Sequence, residues 1–159
     1  MLTRTSIRSI NDILSKNSNW KILDIGCGYT ANHYATAVAD TQDLSNFYKN
    51  KEFIKIESKE LPFKDNEFDF VFAFASIYML NFGGVVNALR EIQRVGKGKS
   101  YVTLGAYDTS EDKELFQGWT LLGTTVLHIN EWLEVFKEVG YTGDYFFTTA
   151  KSLNLVCEK

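Results

Sequence analysis

In this chain of 159 residues, the residues best spaced for chemistry are Gly26 and Gly28, at the end of the apolar run KILDIGC over residues 21–27. A glycine pair at the carboxyl end of a buried strand lets the backbone turn sharply and approach a ligand more closely than a Cβ would permit. In open α/β sheets ligands lie outside the carboxyl ends of the strands, so this loop stands where a cofactor would bind. Two kinds of cofactor compete for it. Gly26, Gly28 and Ala31 satisfy the dinucleotide pattern G-x-G-x-x-G/A. That reading also demands a helix opening at the loop, with its N-terminus toward a pyrophosphate, and an acid about 20 residues further on. Here residues 29–34 run straight into a strand-like stretch at 36–40, and Asp40 lies only 12 positions after Gly28. There is no room for a full helix, which suits a ligand without a pyrophosphate.

The elements that must position this loop alternate between short β-rich runs and helical stretches, the signature of an α/β layered domain. Residues 5–15 read as a helix with Ile7, Ile10 and Leu14 on one face. Strands are expected at 21–27, 36–40 and 53–57, with a short helix around residues 44–48. The run FDFVFAFA at 68–75 is apolar on both alternating faces, as a central parallel strand covered by helices on both sides would be. Gly83 and Gly84 break the chain before a helix carrying Val85, Leu89, Ile92 and Val95, which ends at Gly96 and Gly98. A strand at 100–106 follows, then a segment around Trp119 whose structure the pattern leaves open. Asn130 reads as the N-cap of a helix with Trp132, Val135, Phe136 and Val139 inward, stopped at Gly140. Strands at 145–149 and 153–157, joined by about three residues, are expected to form an antiparallel hairpin, because a parallel pair needs a long crossover. That makes seven strands.

Composition excludes several classes. Lys plus Arg total 17 against 20 Asp plus Glu, a net charge of −3, so no basic excess exists to grip a phosphate backbone. Charged residues make up 23% and apolar ones 45%, an ordinary globular balance rather than that of a disordered chain. One domain over residues 1–159 is expected. No run of about 18 apolar residues and no apolar leader is visible, so the expectation is a cytoplasmic protein without membrane insertion. Two Cys, at 27 and 157, and two His show no spacing for a metal site, and both cysteines read as buried free thiols.

Four ordered stretches carry a family resemblance. Asp24-Ile25-Gly26-Cys27-Gly28 resembles the first motif of class I S-adenosylmethionine-dependent methyltransferases. Residues 61–69, LPFKDNEFD, resemble the LPF-x-D-x-x-FD lead into that family's fourth strand. Residues 88–95, ALREIQRV, resemble its next helix, and GKGK at 96–99 stands where the turn to strand five falls. The likeness is to the methyltransferase type 11 group, in a short-loop bacterial subset often linked to glycan biosynthesis. It implies a Rossmann-like, seven-stranded, mostly parallel sheet with a C-terminal antiparallel hairpin and helices on both faces.

Carried over by position, the resemblance gives Gly26, Cys27 and Gly28 to the methionine part of S-adenosylmethionine, with Asp24 orienting the loop and the amino group. Asp40 would accept from the two ribose hydroxyls, with Asp43 as the fallback, since one carboxylate can take both. Glu57 and Ser58 match the adenine-edge position, and Ala73 to Ala75 would floor the sulfonium. Thr30 replaces a third loop glycine, and FASIYML at 74–80 lacks the polar residues common after strand four. Methyl transfer is an in-line displacement in which alignment does much of the work. A base matters only where the acceptor must lose a proton of high pKa. His33, just past the loop, is the one candidate base, and the catalytic residue stays unassigned. The expected activity is methyl transfer to a small-molecule or glycan-precursor acceptor, alone, with a protein partner or as a homodimer. The alternative is a non-catalytic cofactor-binding or scaffold member of the same fold.

Overall fold

The computed structural model describes residues 5–155. Seven strands form one sheet: β1 (Ile22–Ile25), β2 (Ala37–Asp40), β3 (Glu52–Lys55), β4 (Phe70–Ala73), β5 (Ser100–Tyr107), β6 (Leu127–His128) and β7 (Asp144–Thr148). The order is β3-β2-β1-β4-β5-β6, with β7 also bonded to β5, and every described pairing is parallel. Four α-helices accompany them: α1 (Ile7–Ser15), α2 (Phe82–Val95), α3 (Ser110–Trp119) and α4 (Ile129–Val139). The architecture is the Rossmann-like, mostly parallel seven-stranded sheet that the sequence implies.

Period-2 alternation along the strands builds two cores. Leu23, Val71, Val102 and Leu104 face one way, against Leu89 and Ile92 of α2 and Trp132 and Phe136 of α4. Ile22, Val38, Phe70 and Tyr101 face the other way, against Ile10 and Leu14 of α1. The Trp132 indole N–H donates to the Gly105 carbonyl at 2.9 Å, so the largest buried ring leaves no orphaned donor.

The motif stretches 61–69 and 88–95 are one structural module. The Arg94 guanidinium donates to the carbonyls of Phe63 (2.8 Å) and Leu61 (3.1 Å), to Asp65 Oδ1 (2.9 Å) and to both Glu91 oxygens (2.8 and 2.7 Å). Glu91 Oε2 in turn accepts from the Leu61 amide at 2.7 Å. A planar fork with five donors can clamp a loop to a helix in this way, and a point charge cannot. The clamp fixes the chain that leads into β4.

Several local expectations are corrected. Residues 44–48 form a single turn, not a short helix. The chain does not break at Gly83 and Gly84: α2 runs through both from Phe82, because Asn81 caps it by accepting from the Gly84 amide at 2.8 Å. The cap of α4 is His128 rather than Asn130, with Nδ1 accepting from the Asn130 amide at 3.1 Å and Glu131 accepting from the His128 amide. The segment around Trp119 is the helix α3, capped by Thr109, whose hydroxyl accepts from the Asp112 amide at 3.1 Å. At the C-terminus, β7 lies parallel to β5. Where an extended return strand was expected from residue 153, the chain curls into a 3-10 turn over Lys151–Leu153, fastened by reciprocal Thr149–Ser152 bonds. Residues 156 and 157, the end of that expected strand and the site of the second cysteine, lie outside the described residues. The seventh strand is instead the two-residue β6, which is too short to show a period.

Candidate functional site

The carboxyl ends of β3, β2, β1 and β4 form one crest, and the expected site residues lie along it. Between β1 and β2, residues 26–36 contain turns and no helix, as the 12-residue spacing from Gly28 to Asp40 required. Gly26 and Gly28 adopt φ of +66° and +49°, in the left-handed region where a side chain is strained. The Gly26 amide donates to the Ala39 carbonyl at 2.8 Å, and the Gly28 amide donates to Asp40 Oδ2 at 2.9 Å. The two strand ends are thereby stitched together.

The two glycines serve different ends. A Cβ on Gly26 would stand 2.5 Å from the Ser76 Cβ, whereas one on Gly28 would meet nothing within 4 Å. Gly26 is needed by the chain leaving β4, where the Ser76 hydroxyl donates to the Ile25 carbonyl at 3.1 Å. Gly28 turns to open space. It is the glycine that leaves room for a ligand.

Asp40 is half-buried, and its second oxygen accepts from the Gln42 amide at 2.9 Å. Each carboxylate oxygen thus spends one acceptor site on the backbone and keeps another. Asp24 is 3% exposed, and its Oδ2 accepts from the Asn32 amide at 2.6 Å. Burial pushes this carboxyl up to about 7, opposed by the Asn32 amide and the Lys51 charge and assisted by the charge of Asp40. Cys27 turns its thiol into the α1-side core, where burial above all raises it to about 11. Only its backbone is available to a ligand. Ala73 is likewise fully buried, its methyl in the α2-side core. Glu57 is exposed and paired with Lys55 at 3.2 Å, and the Ser58 hydroxyl donates to the Glu60 carbonyl at 2.6 Å. The Ile56 amide donates to the Asp40 carbonyl at 2.8 Å, which brings that loop next to Asp40. His33 is exposed at the far side of the loop, edge-on to Tyr34. Asp43 is exposed, and its Oδ1 accepts from both the amide (3.1 Å) and the hydroxyl (2.6 Å) of Ser45.

Sequence reasoning missed the residues that hold the loop in shape. The Tyr48 hydroxyl donates to the Gly28 carbonyl at 2.7 Å and accepts from the Ala31 amide at 3.1 Å. Lys51 donates to the carbonyls of His33 and Ala35. Asn32 donates to Asn11 of α1 at 2.9 Å. All are tertiary contacts, and nothing in local spacing announces them.

Across residues 23–104, just over half of the chain, the sequence matches the methyltransferase domain family. The chain belongs to that family. S-adenosylmethionine is the cofactor this family and fold imply. Among curated proteins, the domain is 28% identical over 149 residues to the uncharacterised protein MJ0638 of Methanocaldococcus jannaschii, with 86% of this chain and 65% of that protein covered. The chain therefore spans slightly under two thirds of that relative. In fold it is similar to the YcgJ protein of Bacillus subtilis, with a TM-score of 0.61, 18% identity, and 84% and 68% of the two chains covered. It is also similar to a SAM-dependent methyltransferase of Thermotoga maritima, with a TM-score of 0.56, 12% identity, and coverage of 84% and 71%.

The crest fits that cofactor. Gly28 faces open space, Asp40 keeps acceptor sites for hydroxyls, and no helix opens at the loop, so no dipole for a pyrophosphate stands there. Among the described residues no group of three or more His, Cys, Asp or Glu is placed to hold a metal ion, and no helix is long and apolar enough to cross a membrane.

Proposed function

We propose that this domain transfers the methyl group of S-adenosylmethionine to a small-molecule acceptor, glycan precursors included. The observation that carries this reading is the pairing of Gly28, open on its outer side, with the half-free carboxylate of Asp40. The cofactor supplies an electrophilic methyl carbon on a sulfonium sulfur. Gly26, Cys27 and Gly28 would offer backbone groups to its methionine part, and Asp40 would take the ribose hydroxyls. Glu57 and Ser58, one strand further along the crest, would meet the adenine edge. Asp24 acts beneath the loop, holding the Asn32 amide, and positions rather than touches. Ala73 contributes backbone at the floor, since its methyl is buried.

Methyl transfer to an acceptor that loses no proton of high pKa needs alignment rather than a base. His33, exposed on the loop, is the one imidazole near enough in sequence to serve an acceptor that must lose a proton. The test is acceptor-dependent formation of S-adenosylhomocysteine by the purified protein, over a panel of amines, phenols, carboxylates and sugars. Turnover that falls at least tenfold in Asp40→Ala supports the reading. Cofactor binding without turnover on any class contradicts it.

A further inference from the structure

Gly28 is gripped from both sides by one later segment. Its amide donates to Asp40 Oδ2 at 2.9 Å, and its carbonyl accepts from the Tyr48 hydroxyl at 2.7 Å. Residues 40–48 therefore supply both the carboxylate read as the ribose ligand and the hydroxyl that fixes the glycine peptide. The same hydroxyl accepts from the Ala31 amide at 3.1 Å. A phenol can donate its proton and accept on its oxygen at once, so this one ties two points of the loop together. Within the same stretch the backbone closes a turn of its own, from the Thr30 amide to the Cys27 carbonyl at 3.1 Å.

The Tyr48 ring is held as a strut. It stacks on Phe53 of β3, with centroids 6.4 Å and planes 3° apart, and meets Phe47 edge-on at 4.9 Å. Its own amide donates to the Leu44 carbonyl at 3.1 Å, and Leu44 is buried in the α1-side core. The hydroxyl is thus carried on a base fixed to the sheet, whereas residues 28–34 have no helix to stiffen them. Burial holds the phenol above its ordinary pKa, so the proton that bonds Gly28 stays in place across neutral pH. Ordering a loop costs backbone entropy. A contact that orders it beforehand spares a ligand that cost on binding.

We propose that Tyr48 is a positioning residue for the cofactor: its hydroxyl takes the part of the absent helix, holding Gly28 and Ala31 so that the open side of Gly28 is ready for the amino-acid end of S-adenosylmethionine. Tyr48 acts through the loop rather than on the ligand. The inference rests on the reading of the crest as the S-adenosylmethionine site. It adds that the two ends of the cofactor depend on different residues of one segment, the ribose on Asp40 and the amino-acid end on Tyr48. A residue that only stabilised the domain would treat every ligand of the crest alike, whereas this one discriminates between them.

The test is calorimetric titration of the wild type and Tyr48→Phe with S-adenosylhomocysteine and with 5′-methylthioadenosine, which keeps the adenosine and the sulfur but lacks the amino-acid end. Where the second binds weakly, its affinity is read from displacement of S-adenosylhomocysteine. Phenylalanine keeps the ring between Phe47 and Phe53, so folding is spared, and thermal unfolding of each protein verifies this. Loss of the hydroxyl's bonds should weaken S-adenosylhomocysteine about tenfold and leave 5′-methylthioadenosine unchanged. Ile92→Val, a truncation in the α2-side core, lowers stability without touching the loop and should leave both affinities as they are. Losses in Tyr48→Phe that are equal for the two ligands, larger for 5′-methylthioadenosine, or absent would overturn the inference and spare the reading of the site. A wild type that binds neither ligand would overturn both together.

Discussion

The contrast between Gly26 and Gly28 makes a quantitative prediction. Both residues have positive φ, so alanine at either costs about 1 kcal/mol or slightly more in backbone strain. Only at Gly26 does the new Cβ collide, 2.5 Å from the Ser76 Cβ and 2.9 Å from its Oγ. Relieving such an overlap in a packed site costs a further ~2 kcal/mol. Gly26→Ala should therefore destabilise by about 3 kcal/mol and Gly28→Ala by about 1 kcal/mol. For a domain of this size each kcal/mol moves Tm by about 2–4 °C. Thermal unfolding should accordingly show losses of roughly 6–12 °C and 2–4 °C. The double variant Gly26→Ala/Ser76→Gly removes the collision but not the strain, and it should be more stable than the sum of its parts by about 1–2 kcal/mol. Cofactor affinity should follow the opposite order, falling more in Gly28→Ala, whose methyl enters the open side. Equal thermal losses at the two glycines, or strict additivity in the double variant, would refute the assignment of Gly26 to packing and Gly28 to the ligand.

Other predictions concern the supports of the crest. Arg94→Ala frees the loop at Leu61–Asp65 and leaves Glu91 without its cation; urea unfolding should show a loss of about 3 kcal/mol, and Arg94→Lys should recover less than half because an ammonium cannot fork. The Asp24 carboxyl sits at about 7 in the fold, above its unfolded value, so the folded state holds the proton more tightly. Its contribution to stability is complete below pH ~4 and is lost as pH rises to about 7, by up to about 4 kcal/mol. Asp24→Asn, measured by chemical denaturation from pH 4 to 8, should flatten this slope and gain on the wild type as pH rises; a parallel pair of curves would contradict it. Tyr48→Phe removes the hydroxyl that bonds Gly28 and Ala31, and amide exchange across residues 28–34 should speed up with about 1–2 kcal/mol of lost protection.

The site was legible in the sequence to the extent that it depends on local backbone chemistry. The glycine pair, the carboxylate ending β2 and the absent helix all follow from residue types at short spacing. The alternation of Phe70, Phe72 and Val71 fixed β4 as central. What escaped was tertiary or too short to be periodic. Ser76 reaches Gly26 only because β4 lies beside β1, and Tyr48 reaches Gly28 from a turn that resembles a helix in pattern. The start of α3 was readable in Thr109 and Asp112, a cap three residues before an acid, but its apolar spacing is weak because only Phe116 is buried. At the C-terminus the short connection argued for a hairpin, yet the Thr149–Ser152 side-chain bonds favour a tight turn instead.

The most direct test of the central claim is calorimetric titration of the protein with S-adenosylmethionine and S-adenosylhomocysteine, with Asp40→Ala and Asp40→Asn in parallel and their thermal unfolding recorded. The account predicts micromolar binding in the wild type. That binding should be lost in Asp40→Ala and weakened at least tenfold in Asp40→Asn, which keeps one acceptor oxygen and the fold. No binding to the wild type up to millimolar cofactor, or undiminished binding in a folded Asp40→Ala, would contradict it.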